Sequence, residues 1–203
     1  MAGALGYIGL AGGERLEVTT FAQALGDSFG PTQGKSQSIP LLKFLSSITP
    51  APAHNGQHGS GLVYSLRRYA HLHPQGGVLV IISDLLDTAA PSESIGEWEE
   101  LAEGLRYFPP PRWQVLVMHL LTEAEMSPKL EGDYDLQDLE TTESLPFHLD
   151  EATLARYRSR VQRWCAELQS ACAGRAATYA RIMAEWRFEK AVIPYLRQRG
   201  AIQ

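Results

Sequence analysis

The feature that most constrains this 203-residue chain is the run Val-Leu-Val-Ile-Ile at residues 78–82, introduced by Gly76-Gly77 and closed by Ser83-Asp84. Five consecutive apolar residues have no period-2 alternation, so both sides of the segment must leave water. That is the signature of a strand inside a parallel sheet with both faces covered. A second run, Trp113–Leu121 (WQVLVMHLL), has the same character. Between them, Ser94-Ile-Gly-Glu97 has the form of a capping box that opens a helix to about Tyr107, and Pro109-Pro-Pro111 stops it. Strand, helix and strand in that order predict a parallel crossover.

The rest of the chain extends the alternation. The apolar opening, Met1 to Leu10, reads as a short helix ending at the Gly12-Gly13 stop, and Arg15–Phe21 (RLEVTTF) as a strand rich in β-branched residues. Residues 26–34 are turn-rich, with room for a short edge strand only. Ser38–Ser47 carries Pro40 in its first turn and Leu41, Leu42, Phe44 and Leu45 on a helical period. Residues 50–61 are a loop by composition, and a helix follows over 62–72. Residues 131–149 are acidic with alternating Tyr134, Leu136 and Leu139, as in a hairpin arm. Asp150 can cap a long helix whose Leu154, Tyr157, Val161, Trp164, Cys165, Leu168 and Cys172 form one stripe. Residues 177–182 predict a last strand, and 186–199 a last helix bent near Pro194. The expectation is one α/β domain over residues 1–203, a doubly wound, mainly parallel sheet with helices on both faces.

Composition narrows the function. With 44% hydrophobic and 20% charged residues the chain can bury a sizeable core, and a formal net charge of −5 argues against a nucleic-acid partner. The two cysteines, Cys165 and Cys172, lie seven residues apart on one predicted helix, roughly 10 Å of rise, too far for a disulfide. They read as buried apolar residues of a protein in a reducing compartment, and the expected localisation is cytoplasmic. No apolar run reaches the roughly 18 residues of a transmembrane segment, and the apolar start lacks the basic flank of a signal peptide.

Ligands of open parallel sheets gather beyond the carboxyl ends of the strands. Asp84 stands there, at the end of the most apolar run, where a carboxylate can hold a hard cation such as Mg²⁺ or cap a turn. Ser60, in the loop before the preceding helix, would reach the same end as a hydroxyl ligand or as a helix cap. Asp87 reads as solvated, and Asp27 as a weaker candidate for that edge. Residues 29–36 (FGPTQGKS) approach a phosphate-binding loop, but Phe29 occupies the first glycine position and Gly30 stands one residue too close. His54 and His58 share a loop without further zinc ligands nearby. His71 and His73 suit a helix end, and His119 reads as a core residue. No G-x-S-x-G elbow exists. A binding protein is expected over an enzyme, the alternative being a Mg²⁺-dependent nucleotide hydrolase or a metal-dependent hydrolase centred on Asp84 and Lys35.

Residues 78–87 (VLVIISDLLD), 132–141 (GDYDLQDLET), 155–172 (ARYRSRVQRWCAELQSAC) and 189–200 (EKAVIPYLRQRG) together resemble a bacterial family of von Willebrand factor A-like proteins, domain of unknown function 58 (DUF58). The similarity extends upstream through residues 34–45 to the opening helix. The resemblance implies a metal-ion-dependent adhesion site whose third-loop aspartate falls on Asp84 and whose second-loop hydroxyl falls on Ser60. Gly61 departs from the pattern, where the family usually has Asp. The first loop, D-x-S-x-S, and the central strand before it have no counterpart, so the expected Mg²⁺ site is incomplete. That strand would lie between Arg15–Phe21 and residues 78–82. Its absence implies a fragment, a misassigned start or a natural truncation, with strand completion by another chain as a route to oligomers. The resemblance further implies a protein-interaction module working with a MoxR-type AAA ATPase.

Overall fold

The computed structural model describes residues 1–22, 24–49, 61–86, 97–129, 132–137 and 144–200. The opening helix α1 (Ala2–Ala11) stops where the Gly12 N–H turns back to the Ile8 carbonyl and Gly13 takes φ +79°. Two antiparallel strands follow, β1 (Arg15–Phe21) and β2 (Leu25–Gln33), in register from Arg15 opposite Gln33 to Phe21 opposite Leu25, with two irregularities between. A single 3-10 turn, Lys35–Gln37, leads into α2 (Ser38–Ser47), which packs on α1. Leu41 is fully buried there, and its side chain fills the space a side chain at Gly6 would need.

The second half is the parallel layer. Helix α3 (Gly61–Leu72) precedes β3 (Gly77–Ser83), α4 (Glu97–Leu105) precedes β4 (Trp113–Leu121), and α6 (Glu151–Ala173) precedes β7 (Thr178–Met183). Between β4 and α6 stand the one-turn helix α5 (Glu123–Met126) and the hairpin β5 (Gly132–Gln137) with β6 (Ser144–Leu149). A π-helical turn, Phe188–Val192, and α7 (Ile193–Gln198) end the described chain. The sheet order is β3-β4-β7, all parallel, so the fold is a mixed α/β arrangement with its sheet flanked by helices, as the alternation predicts.

Packing explains why β4 is central. Its odd-numbered positions Trp113, Val115 and Val117 join Leu66 of α3, Leu101 and Leu105 of α4, and Leu168 and Cys172 of α6 in one core. Its even positions Leu116 and Met118 join Ala180 and Ile182 of β7, Val192 and Leu196, with Met1 and Leu5 of α1 packed against them. Each fully buried aliphatic side chain contributes roughly 1.5–3 kcal/mol. Cys165 and Cys172 are buried free thiols, and burial pushes Cys172 up to about 12, so it stays protonated.

Where the sequence predicts β3 to be interior, the structure differs. Among the described residues no strand pairs with its outer edge, and Val78 is 70% exposed. The β1–β2 ribbon forms a sheet of its own. It is tied to the body by Phe21 against the first core and by His73 Nε2, 3.2 Å from Glu17 Oε1. Residue Tyr157 also departs from the apolar stripe: it is exposed, and its hydroxyl donates to the Glu125 carbonyl at 2.8 Å. The loop expected at 50–61 lies, but for Gly61, outside the described residues, as do Ser94 and the start of its capping box.

Entry into β3 depends on Gly76. It adopts φ +79°, and a side chain there would run into the Arg112 carbonyl, the group that accepts the Gly77 N–H at 3.0 Å and sets the β3–β4 register. Gly76→Ala is expected to destabilise the chain by about 2 kcal/mol or more, strain adding to the collision. A thermal or urea melt of the variant checks this; an unchanged midpoint would show that the turn relaxes freely.

Candidate functional site

The carboxyl end of the parallel sheet gathers the chemistry-bearing residues. Strand β3 ends at Ser83, and the two residues beyond it form a tight turn held by side chains. Ser83 Oγ accepts the Leu85 N–H at 3.0 Å, and Asp84 Oδ1 accepts the Leu86 N–H at 3.2 Å. Leu85 sits at φ +57°, a left-handed conformation disfavoured for a residue with a side chain, and it is held there by burial of that side chain. Asp84 is exposed, with Oδ2 directed to no described donor. It is thus a turn-capping residue with one carboxylate oxygen to spare.

The end of β4 is closed by a reciprocal cap. Thr122 Oγ1 accepts the Glu125 N–H at 3.1 Å, while Glu125 Oε2 accepts the Thr122 N–H at 2.6 Å. Just past β7, Glu185 Oε1 accepts the Glu123 N–H at 3.1 Å. The acidic groups of this edge are therefore largely engaged with backbone amides. Among the described residues no group of three or more His, Cys, Asp or Glu side chains is placed to hold a metal ion.

Beneath the edge lies a buried polar chain that the sequence does not reveal. His119 has no solvent exposure; its Nδ1 lies 2.7 Å from the Tyr179 hydroxyl, and Trp164 meets its ring edge-to-face at 4.7 Å. Tyr179 is raised far above the ordinary tyrosine range by burial, then by its neighbour Cys165. The roles in this bond follow the imidazole tautomer: the phenol donates to Nδ1 when the ring proton is on Nε2. Among the described residues Nε2 has no full hydrogen-bond partner. Burial lowers His119 to about 4, opposed by the Asp84 main-chain carbonyl and then by the Asp84 charge. A neutral imidazole with so low an affinity for protons, sealed in the core, is a poor general base at neutral pH. It is a core residue, as its place in an apolar strand suggests.

Among the described residues, the remaining sequence candidates Asp27, Lys35, His71 and His73 do not converge on this edge. Ser60, Asp87, His54 and His58 lie outside the described residues. Asp27 is in β2, where its carbonyl accepts the Thr20 hydroxyl at 3.1 Å and its side chain is exposed. Lys35 follows an antiparallel strand and stands over the Tyr7 ring at 5.8 Å, against α1. The structure shows no contact between Lys35 and Asp84, and the turn at Gly34 does not open a helix from a parallel strand, as a phosphate loop requires. His71 is exposed near the end of α3, and His73 pairs with Glu17. The signal for the buried chain was a histidine within an apolar strand, but its partner is 60 residues away and in a different strand.

His119 makes the protein acid-sensitive. Its folded value lies below the unfolded one of 6.5, so the unfolded chain binds the extra proton first. The stability it contributes is complete above pH 6.5 and is lost as pH falls toward about 4. Between pH 7 and 4.5 the wild type should lose about 2–3 kcal/mol more than His119→Gln. Urea titrations of both proteins across that range measure the difference, and parallel pH profiles would remove His119 as the cause.

A crystal structure of the conserved hypothetical protein BatB from Bacteroides thetaiotaomicron is similar at 16% identity and TM-score 0.44, over 99% of this chain and 87% of that one. An aerotolerance-related membrane protein from Bacteroides fragilis, solved with multiple mutations to serines, is similar at 18% identity and TM-score 0.44, with the same coverage. No helix among the described residues of this chain is long and apolar enough to cross a membrane. No curated protein matches the chain. The family model described as protein of unknown function DUF58 matches residues 1–167, and the chain belongs to that family.

Proposed function

We propose that this chain is a protein-binding module of the von Willebrand factor A type, whose partner engages the outer edge of β3 and the Asp84 turn at its end. The observation that carries the reading is the state of β3. Its sequence, GVLVIIS, is suited to an interior strand, yet its outer edge has no strand partner among the described residues and Val78 is 70% exposed. Backbone groups along such an edge are ready donors and acceptors for an added strand, whether from another protein or a second copy. Asp84, exposed at the end of the same strand, gives the edge a directional acceptor.

The family resemblance supplies the finer form of the proposal: a MoxR-type AAA ATPase as partner and Mg²⁺ bridging Asp84 to a partner carboxylate. The described donors do not fit a resident metal by themselves, since among the described residues no group of three or more His, Cys, Asp or Glu side chains includes Asp84. Binding is therefore expected to depend on Asp84 and on the edge, and only weakly on Mg²⁺. A catalytic reading has no comparable support among the described residues, where burial lowers the proton affinity of His119 and Lys35 lies against Tyr7.

Two substitutions separate the parts. Val78→Lys places a charge on an already exposed edge position and should change stability by less than about 0.5 kcal/mol. Asp84→Ala removes one turn hydrogen bond, about 0.5–1.5 kcal/mol. Each is expected to weaken binding to the candidate ATPase at least tenfold, or about 1.4 kcal/mol, in biolayer interferometry with and without Mg²⁺. Wild-type binding that neither variant alters would exclude this edge, and no wild-type binding would exclude the ATPase.

A further inference from the structure

Helix α3 has two faces of opposite character. Leu66 enters the core, with Leu62, Tyr69 and Ala70 packed against the same cluster. Tyr64, Arg67, Arg68 and His71 follow at i, i+3, i+4 and i+7, in one exposed stripe. With Tyr107 beyond α4 they line an open groove of about 590 Å³, within the range of small-molecule sites. The Arg67 guanidinium rests 5.8 Å from the Tyr64 ring centre, which steadies it on the groove wall. The ion pairs among the described residues are Glu17–His73, Asp133–His148 and Glu151–Arg158, so neither groove arginine has a described carboxylate partner. Nor does the helix dipole account for the two arginines. Only His71 falls in the last turn of α3, where a cation serves that end.

The surroundings carry the same sign. The groove lies toward the amino ends of β3 and β4, into which α3 and Tyr107 lead. From residue 28 to residue 83 the sequence has no Asp or Glu, but has Lys35, Lys43, Arg67 and Arg68. Arg106 and Arg112, both exposed, stand on the turn between α4 and β4 that carries Tyr107. Arg175, after α6, donates to the Ala102 carbonyl of α4 at 3.1 Å. Glu103, in the last turn of α4, is exposed and is not part of the groove lining. Asp84, Glu123, Glu125 and Glu185 instead follow the carboxyl ends of β3, β4 and β7. A strand length of roughly 20–25 Å separates the two ends, against a screening length of about 8 Å at physiological salt. On a chain of net charge −5 the groove is thus a local cationic site.

Chemistry narrows what such a site takes. Two guanidinium groups at adjacent positions, each a planar fork of donors, match the several oxygens of a phosphate chain. Tyr64 is 47% exposed and Tyr107 36%, so both give aromatic surface on which a planar ring can stack. Phosphates joined to a planar ring are a nucleotide. We infer that the groove binds a nucleotide, its phosphates on Arg67 and Arg68 and its base against Tyr64 and Tyr107. The site is separate from residues 29–36, whose neighbour in space is α1, where Lys35 stands over Tyr7. It is also independent of the β3-edge reading. The assigned role is binding without hydrolysis, since the described lining offers no carboxylate to hold a metal ion or take a proton.

Isothermal titration of the full chain with ATP and with tripolyphosphate, both in chelator and about 0.1 M salt, tests this. ATP should bind, and about tenfold or more tighter than tripolyphosphate, because only ATP carries a ring to stack. Arg67→Ala/Arg68→Ala should weaken both ligands by about tenfold or more. Tyr64→Ala/Tyr107→Ala should bring ATP to within about threefold of tripolyphosphate. Lys35→Ala should change neither. If a variant fails to fold, amide chemical shifts of the wild type answer instead: ATP should move residues 64–71 and 107 and leave residues 29–36 in place. Absence of ATP binding, tripolyphosphate as tight as ATP, arginine variants that bind as the wild type does, loss of binding in Lys35→Ala, or shifts confined to residues 29–36 would each overturn the inference.

Discussion

The architecture rests on the backbone ladder that joins β3 to β4, and on the fact that β4 is paired on both sides while β3 is paired on one. Parallel strands carry helices on both faces. Once Gly77 is registered against Trp113, the chain must send α4 and α6 over one face and leave the other to α1 and α7. Each core then closes around alternate residues of the same strand. The cost of this plan falls at the outer edge of β3, where backbone donors and acceptors have no described strand to meet. An edge that natural sheets usually blunt with charge or proline is here built from valine, leucine and isoleucine. That composition is what the proposed binding role rests on.

The carboxyl end of the sheet is rigid for the same reason. Side chains tie down the turns after two of the strands, Ser83 and Asp84 after β3 and Thr122 with Glu125 after β4, and Glu185, beyond β7, accepts the Glu123 N–H of the segment after β4. Below them His119 and Tyr179 join β4 to β7 through a hydrogen bond between side chains, sealed by Trp164. Burial keeps the imidazole neutral, so this chain holds position and does not move protons at neutral pH. Asp84 is an exposed carboxylate on the turn after β3, and the Thr122–Glu125 cap closes the next one.

Much of this plan was legible in the residues. The bounds of β1 and β4 coincide with the β-branched and apolar segments that predict them, and Asp150 caps α6 by accepting the Thr153 N–H at 2.7 Å. Local chemistry settles such features because the deciding atoms are a few residues apart. The edge position of β3 was not legible from its own composition, since an apolar run records which faces are dry and not which strands lie alongside. Only the family resemblance, through its missing strand, pointed to a gap there. Tyr157 sits on the expected stripe, yet its hydroxyl draws it to the rim, a partner choice made 32 residues away. The His119–Tyr179 pair and the groove on α3 were missed because both depend on what tertiary packing brings together. Asp84 stands just beyond the end of β3, the position its sequence context predicts, and Ser60, its expected companion, lies outside the described residues.

The state of the β3 edge is open to direct measurement by amide hydrogen exchange. In a parallel edge strand alternate amides point away from the neighbour, so in the chain alone alternate positions of β3 should exchange far faster than those of β4, and slow when the partner is added. Uniform protection of β3 equal to that of β4 in the chain alone, or exchange at β3 that the bound partner leaves unchanged, would contradict the assignment of this edge as the binding surface.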